Sequence, residues 1–176
     1  MNYSSPSPCG LTKAVVDKFA SDLADHLGYR PGDELSEIVA KLGGRILSQN
    51  ILDFGKFSSS GSIRIEREGS FEILLASHTG RLRDRFTIAH ELGHYFLHFV
   101  YARRNGAQIE RMEALRYGSG QVEWEANWFA AGFLMPATPF REAHASLSGS
   151  ITRIADRFGV SSEAANIRAQ YLGLAA

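Results

Sequence analysis

His90-Glu91-Leu92-Gly93-His94 sets two imidazoles four residues apart, with a carboxylate directly after the first. On an α-helix, residues four apart lie one turn apart on the same face, so both rings can reach one ion. Neutral imidazole is a good zinc ligand, and catalytic zinc sites take three protein ligands and leave a position for water. In that chemistry Glu91 is not a ligand; its carboxylate stands beside the water as a general base. A shuffled chain of this composition yields such a string roughly once in a hundred. The competing reading is an amphipathic core helix with incidental polar residues. It would leave three ionisable groups among Phe86, Ile88, Leu92, Phe96 and Leu97. An unpaired polar group is costly there, so a metal explains the string better.

A third ligand has to come from elsewhere in the chain. One large class of zinc sites places a third His six residues after the second, with a Gly between them. Here those positions hold Val100 and Leu97, which excludes that class. A carboxylate from a second helix is the other common solution. Gln121–Pro136 reads as such a helix, ending before Pro136 because a residue preceding Pro avoids the helical region. It carries Glu123 and Glu125, about 200° apart around the helix, so only one can face the metal. The apolar stripe of Ala126, Phe129, Ala130 and Phe133 borders both and favours Glu125 only modestly. His98 continues the row of His90 and His94. On a straight helix it sits a further ~6 Å along the axis, behind the site or bordering the core.

Arg85-Phe-Thr-Ile-Ala-His-Glu-Leu-Gly-His94, followed by Glu125-Ala-Asn-Trp-Phe-Ala-Ala-Gly-Phe-Leu-Met-Pro136, resembles the ImmA/IrrE family of zinc metallopeptidases. The resemblance is specific across residues 85–136 and extends weakly to residue 173. It implies Zn2+ held by His90, His94 and Glu125, the Glu directly before Ala-Asn, with Glu91 as the catalytic base. It further implies a zincin-like α+β metallopeptidase domain: a small antiparallel sheet packed with the zinc-bearing helices, and a C-terminal helical subdomain. The implied substrate is a specific DNA-binding protein, a helix-turn-helix repressor or antitoxin. Its cleavage would relieve repression in a stress, phage or mobile-element response. The rival class is a zinc-containing transcriptional regulator or toxin–antitoxin component that acts by binding a partner or DNA. Intact Glu91 favours hydrolysis, because structural zinc does not need a general base. General protein degradation fits poorly, since the chain carries no ATPase domain to control it.

At 176 residues the chain reads as one domain, 1–176, with 44% apolar content for a core. Nineteen basic residues balance nineteen acidic ones, which argues against a globally basic nucleic-acid binder. Arg81, Arg83, Arg85, Arg103 and Arg104 are expected on a solvated surface. No apolar run is long enough to span a bilayer. The start of the chain lacks the basic and apolar pattern of a secretory signal. With a lone Cys9 that cannot pair internally, the expected compartment is the cytoplasm. Residues 1–11 are expected to be flexible and Cys9 unreactive. A Cys9 thiolate blocking the zinc is the minor alternative.

The elements that must position the motif follow from periodicity. Residues 12–27 and Asp33–Leu42 read as helices ended by glycines. Arg45–Ser48, Ser62–Glu66 and Phe71–Ala76 read as strands, with Glu68-Gly69-Ser70 as a hairpin turn. Phe71–Ala76, directly before the zinc helix, is the expected substrate-holding sheet edge. Ser58–Gly61 reads as a loop and Gln108–Leu115 as a short helix. Tyr117 and His144 are weak candidates for assisting the tetrahedral intermediate, while His26 and His78 have no comparable partners. Ile151–Gly173 reads as helix, Gly159 turn, helix, so residues 138–176 form a closing segment resembling a helix-turn-helix. If it read DNA it would use Asn166, Arg168 and Gln170, with Arg153 and Arg157 on phosphates. Structural closure is the preferred reading.

Overall fold

The computed structural model describes residues 2–49, 62–77, 79–115 and 120–174. Thr12 caps the first helix, α1 (Lys13–His26), and Val16, Ala20 and Ala24 form its buried stripe. A short α2 (Leu35–Lys41) buries Leu35, Ile38 and Val39 and leads into strand β1 (Gly44–Gln49). Strands β2 (Ser62–Ile65), β3 (Phe71–Ala76) and β4 (Met112–Leu115) complete a sheet of order β1-β3-β2-β4. Ile63, Ile65, Phe71, Ile73, Met112 and Ala114 are buried on one face of it. On the other face the cross-strand pairs Arg45–Glu72 and Arg64–Glu113 are ion pairs. This alternation is the period-two pattern of a half-buried sheet.

Three expectations about the sheet change. It is mixed rather than antiparallel, because β1 runs parallel to β3 while β2 pairs antiparallel with both β3 and β4. The β2–β3 hairpin stands where the turn residues place it, closed by Glu66 N–H on the Ser70 carbonyl at 2.9 Å. That hairpin occupies one side of β3, and β1 occupies the other. Phe71–Ala76 is therefore an internal strand and offers no free edge for a substrate. The residues expected as a helix around Gln108–Leu115 instead supply β4, where pairing with β2 overrides the helical propensity of Met-Glu-Ala-Leu. Ser58–Gly61, His78 and Tyr117 lie outside the described residues.

Within the N-terminal segment, where flexibility was expected over residues 1–11, the backbone is hydrogen-bonded at two places. Ser4 bridges to Met112, donating its N–H to the Arg111 carbonyl at 2.9 Å and accepting from Glu113 N–H at 3.0 Å. Further on, Cys9 and Gly10 donate their N–H groups to Glu125.

The motif helix α3 (Arg81–Gly93) continues without a break into a π-helical stretch, His94–Tyr101, and a last turn, α4 (Ala102–Arg104). Against it packs α5 (Gln121–Leu134), whose end before Pro136 agrees with the sequence. Gly93 is where the two helices touch. A Cβ there would sit 3.0 Å from the Ala126 Cα and 3.1 Å from its carbonyl oxygen. Gly93→Ala should therefore force the helices apart by tenths of an ångström and destabilise the fold by about 1–3 kcal/mol. Chemical denaturation followed by circular dichroism measures this; an unchanged midpoint would mean the contact is slack.

The closing helices are α6 (Ala137–Ser146), α7 (Ile151–Phe158) and α8 (Ser162–Tyr171). Gly159 ends α7 in the left-handed region at φ 62°, and the space a side chain would need is taken by the Arg85 guanidinium. Arg85 is buried, not solvated as expected. It donates to the carbonyls of Gly159 and Asp33 and to the Tyr29 hydroxyl, fastening the motif helix to the closing segment. Arg168 is buried as well, paired with Asp17 and donating to the Met135 carbonyl. It thus serves the core, which removes a central residue from any DNA-reading role for α8. Among the described residues no helix is long and apolar enough to cross a membrane.

Candidate metal centre

His90 and His94 project from the same face of the α3 rod, as their spacing requires, and both are buried. Their Nε2 atoms stand 3.1 Å apart. The carboxylate of Glu123, from α5, meets both: Oε2 lies 3.3 Å from His90 Nε2 and Oε1 lies 3.5 Å from His94 Nε2. Ligand bonds of 2.0–2.1 Å around a tetrahedral zinc imply ligand-to-ligand edges of about 3.3 Å. The three observed separations bracket that value. The donor set of two imidazoles and a carboxylate also suits zinc.

The protonation pattern supports the same conclusion. His90 Nδ1 lies 2.9 Å from Asn127 Oδ1, an atom that only accepts, so Nδ1 donates to it and Nε2 is the nitrogen turned toward the site. Burial pushes the pKa of His94 down to about 4, so its imidazole is neutral at pH 7 and can offer a lone pair. For Glu123 burial alone would raise the pKa, but the contacts with His90 and His94 outweigh it and hold the carboxyl well below its usual range. Lone pairs and a negative charge converging within 3.5 Å call for a cation.

Glu125, the expected third ligand, is placed elsewhere. It is fully buried, and its Oε2 lies 2.9 Å from His98 Nε2, on the far side of His94 from Glu123. It also accepts from the N–H groups of Cys9 at 2.8 Å and Gly10 at 3.2 Å, and from Gln121 Nε2 at 3.1 Å. The structure thus brings His90 and His94 together with Glu123 and leaves Glu125 out of that group. The expectation of Glu125 came from the family resemblance, the apolar stripe favouring it only modestly. Deep burial marks the side of α5 that faces the core, whereas a site that admits a substrate lies at the rim, where Glu123 is half-buried. A usable signal was present: Glu123 and Asn127 are four apart on one face, and Asn127 holds His90.

His98 stands behind His94, as its spacing suggested, with the two Nδ1 atoms 3.0 Å apart. Cys9, His98 and Glu125 form a second group of ligand-type atoms within 4.8 Å of one another. Cys9 therefore does not stand over the His90–His94–Glu123 group. Burial pushes its thiol up to about 11, which keeps it protonated and unreactive at neutral pH. Glu91, buried directly after His90, completes the motif. His144 lies on α6 and belongs to neither group.

Comparison with known proteins agrees with this architecture. A solved Mycobacterium tuberculosis transcriptional regulator is similar in fold, with a TM-score of 0.59 and 22% identity. The match covers 88% of this chain and 46% of that one, so the chain spans less than half of that protein's length. No curated protein matches. The model of the Peptidase_M78 family, the IrrE N-terminal-like domain, matches residues 50–170, a span that holds both motif helices, β2 to β4 and most of the closing segment. The chain belongs to this IrrE N-terminal-like peptidase family.

Proposed function

We propose that the protein is a zinc-dependent endopeptidase, with His90, His94 and Glu123 as the metal ligands and Glu91 as the catalytic base. The observation that carries this reading is the convergence of the two Nε2 atoms, 3.1 Å apart, on the Glu123 carboxylate, whose Oε2 lies 3.3 Å from His90 and whose Oε1 lies 3.5 Å from His94. Zinc bound there supplies Lewis-acid chemistry, acidifying water and polarising a carbonyl. Asn127 and His98 hold the two rings from behind, so the nitrogens keep their aim when a substrate enters. Glu91 takes the proton of the attacking water and delivers it to the leaving amine.

The substrate class we infer is a DNA-binding repressor or antitoxin, cut to relieve repression in a stress, phage or mobile-element response. This rests on the family and not on a feature of the cleft. A regulator that acts by binding alone is the other reading, suggested by the name of the Mycobacterium tuberculosis neighbour. Burial of Arg168 weighs against direct DNA reading by α8.

The test is incubation with the repressor encoded beside the protein, with and without a chelator, followed by mass mapping of fragments. A single cut that chelation prevents and zinc restores is expected. An intact repressor together with a specific gel shift on promoter DNA would overturn the reading.

A further inference from the structure

We propose that His98 and Glu125 are positioning residues that form a proton-ordered relay behind His94. The relay presents the bare Nε2 of His94 to the metal and keeps His98 itself from binding one. The proposal rests on the reading of His90, His94 and Glu123 as the metal ligands.

The order of protons follows from the acceptor at the far end. Glu125 is a buried carboxylate whose oxygens accept from Cys9 N–H, Gly10 N–H and the Gln121 amide. A carboxylate in that state has no proton to give, so the 2.9 Å contact with His98 Nε2 requires the proton to lie on that nitrogen. Neutral His98 then has a bare Nδ1. The 3.0 Å contact between the two Nδ1 atoms in turn requires a proton on His94 Nδ1. His94 Nε2 is left bare, facing His90 Nε2 and Glu123. A charge two rings away thereby selects the one tautomer of His94 that can ligate through Nε2. Carboxylates and carbonyls commonly fix metal-bound histidines in this way through a direct bond. Here an entire imidazole is interposed.

The same ledger settles the second group of ligand atoms. To bind a metal, His98 would have to free Nε2 of its proton and carry one on Nδ1 instead. That proton would point at the proton on His94 Nδ1, 3.0 Å away. With neutral rings the Cys9–His98–Glu125 group and the His90–His94–Glu123 group cannot both be filled. The ordered backbone at Cys9–Gly10 thus serves to hold the Glu125 charge.

The experiment uses the full chain loaded with zinc. Nitrogen-15 spectra of its labelled histidines should show His98 protonated at Nε2 and bare at Nδ1, with His94 protonated at Nδ1. Chelator competition should give one zinc per chain in the wild type. His98→Phe should weaken zinc about 10- to 100-fold. His98→Gln, whose amide can both accept from His94 and donate to Glu125, should recover most of the loss. A His98 ring protonated at Nδ1, a folded His98→Phe with wild-type affinity, or two zincs per chain would each overturn the relay. The spectra decide the matter even if His98→Phe does not fold. A wild type that binds no zinc, or a Glu123→Gln variant that keeps it in full, would overturn the underlying metal reading instead.

Discussion

Glu123→Gln is expected to strip the protein of its zinc while leaving it folded. The two Nε2 atoms converge on the Glu123 carboxylate, which supplies the negative charge of that group. Glutamine keeps the volume and the reach but offers a neutral, weaker donor. Affinity should fall by more than the about 10- to 100-fold typical of an outer partner. Glu125→Gln should stay within that smaller range, because its oxygen can still accept from His98. Zinc content of the purified variants by plasma mass spectrometry, with circular dichroism to verify folding, checks both. If Glu125→Gln lost its zinc and Glu123→Gln kept it, the third ligand would return to the glutamate that the family motif suggested.

The second large effect is on rate. Glu91→Gln should leave zinc content and thermal stability near wild type and lower cleavage of a mapped substrate by about 10²- to 10⁴-fold. Glu91 follows His90 on α3 and belongs to neither group of ligand atoms, so its carboxylate is not consumed by metal binding. The glutamine amide matches its shape and cannot accept the proton of an attacking water. Rates with wild-type and variant protein at equal zinc occupancy make the comparison. Cleavage at the wild-type rate would remove Glu91 from the mechanism and leave the site as a metal anchor.

The motif helix, its histidines and the second helix ending before Pro136 were legible because each rests on local spacing. A four-residue repeat, a run of apolar side chains and a proline carry their meaning within one element. The choice between Glu123 and Glu125 did not, since it depends on how α5 is rotated against α3. That rotation is set by the close approach of Gly93 to Ala126, a contact 33 residues apart in sequence. The antiparallel sheet with Phe71–Ala76 at its edge failed for the same reason: the hairpin turn at Gly69 is local, whereas β1 reaches β3 only through the fold. Arg85 read as a surface charge and Arg168 as a possible DNA contact because their partners are backbone carbonyls and an aspartate brought from distant parts of the chain. Cys9 and Gly10 gave no sign that their amides hold a buried carboxylate.

The π-helical stretch from His94 to Tyr101 gives chain length a meaning that residue identity lacks. An i→i+5 turn holds one residue more than an i→i+4 turn. Loss of a single residue between His94 and His98 would let the stretch settle into ordinary α-helix, and the rod would survive. The alignment of His98 between His94 and Glu125 would not. A volume-conserving apolar exchange at Phe96 or Leu97 should cost less than about 1.5 kcal/mol, whereas a change in the count would shift His98 out of register. Insertions and deletions, rather than substitutions, are the kind of change that this stretch resists.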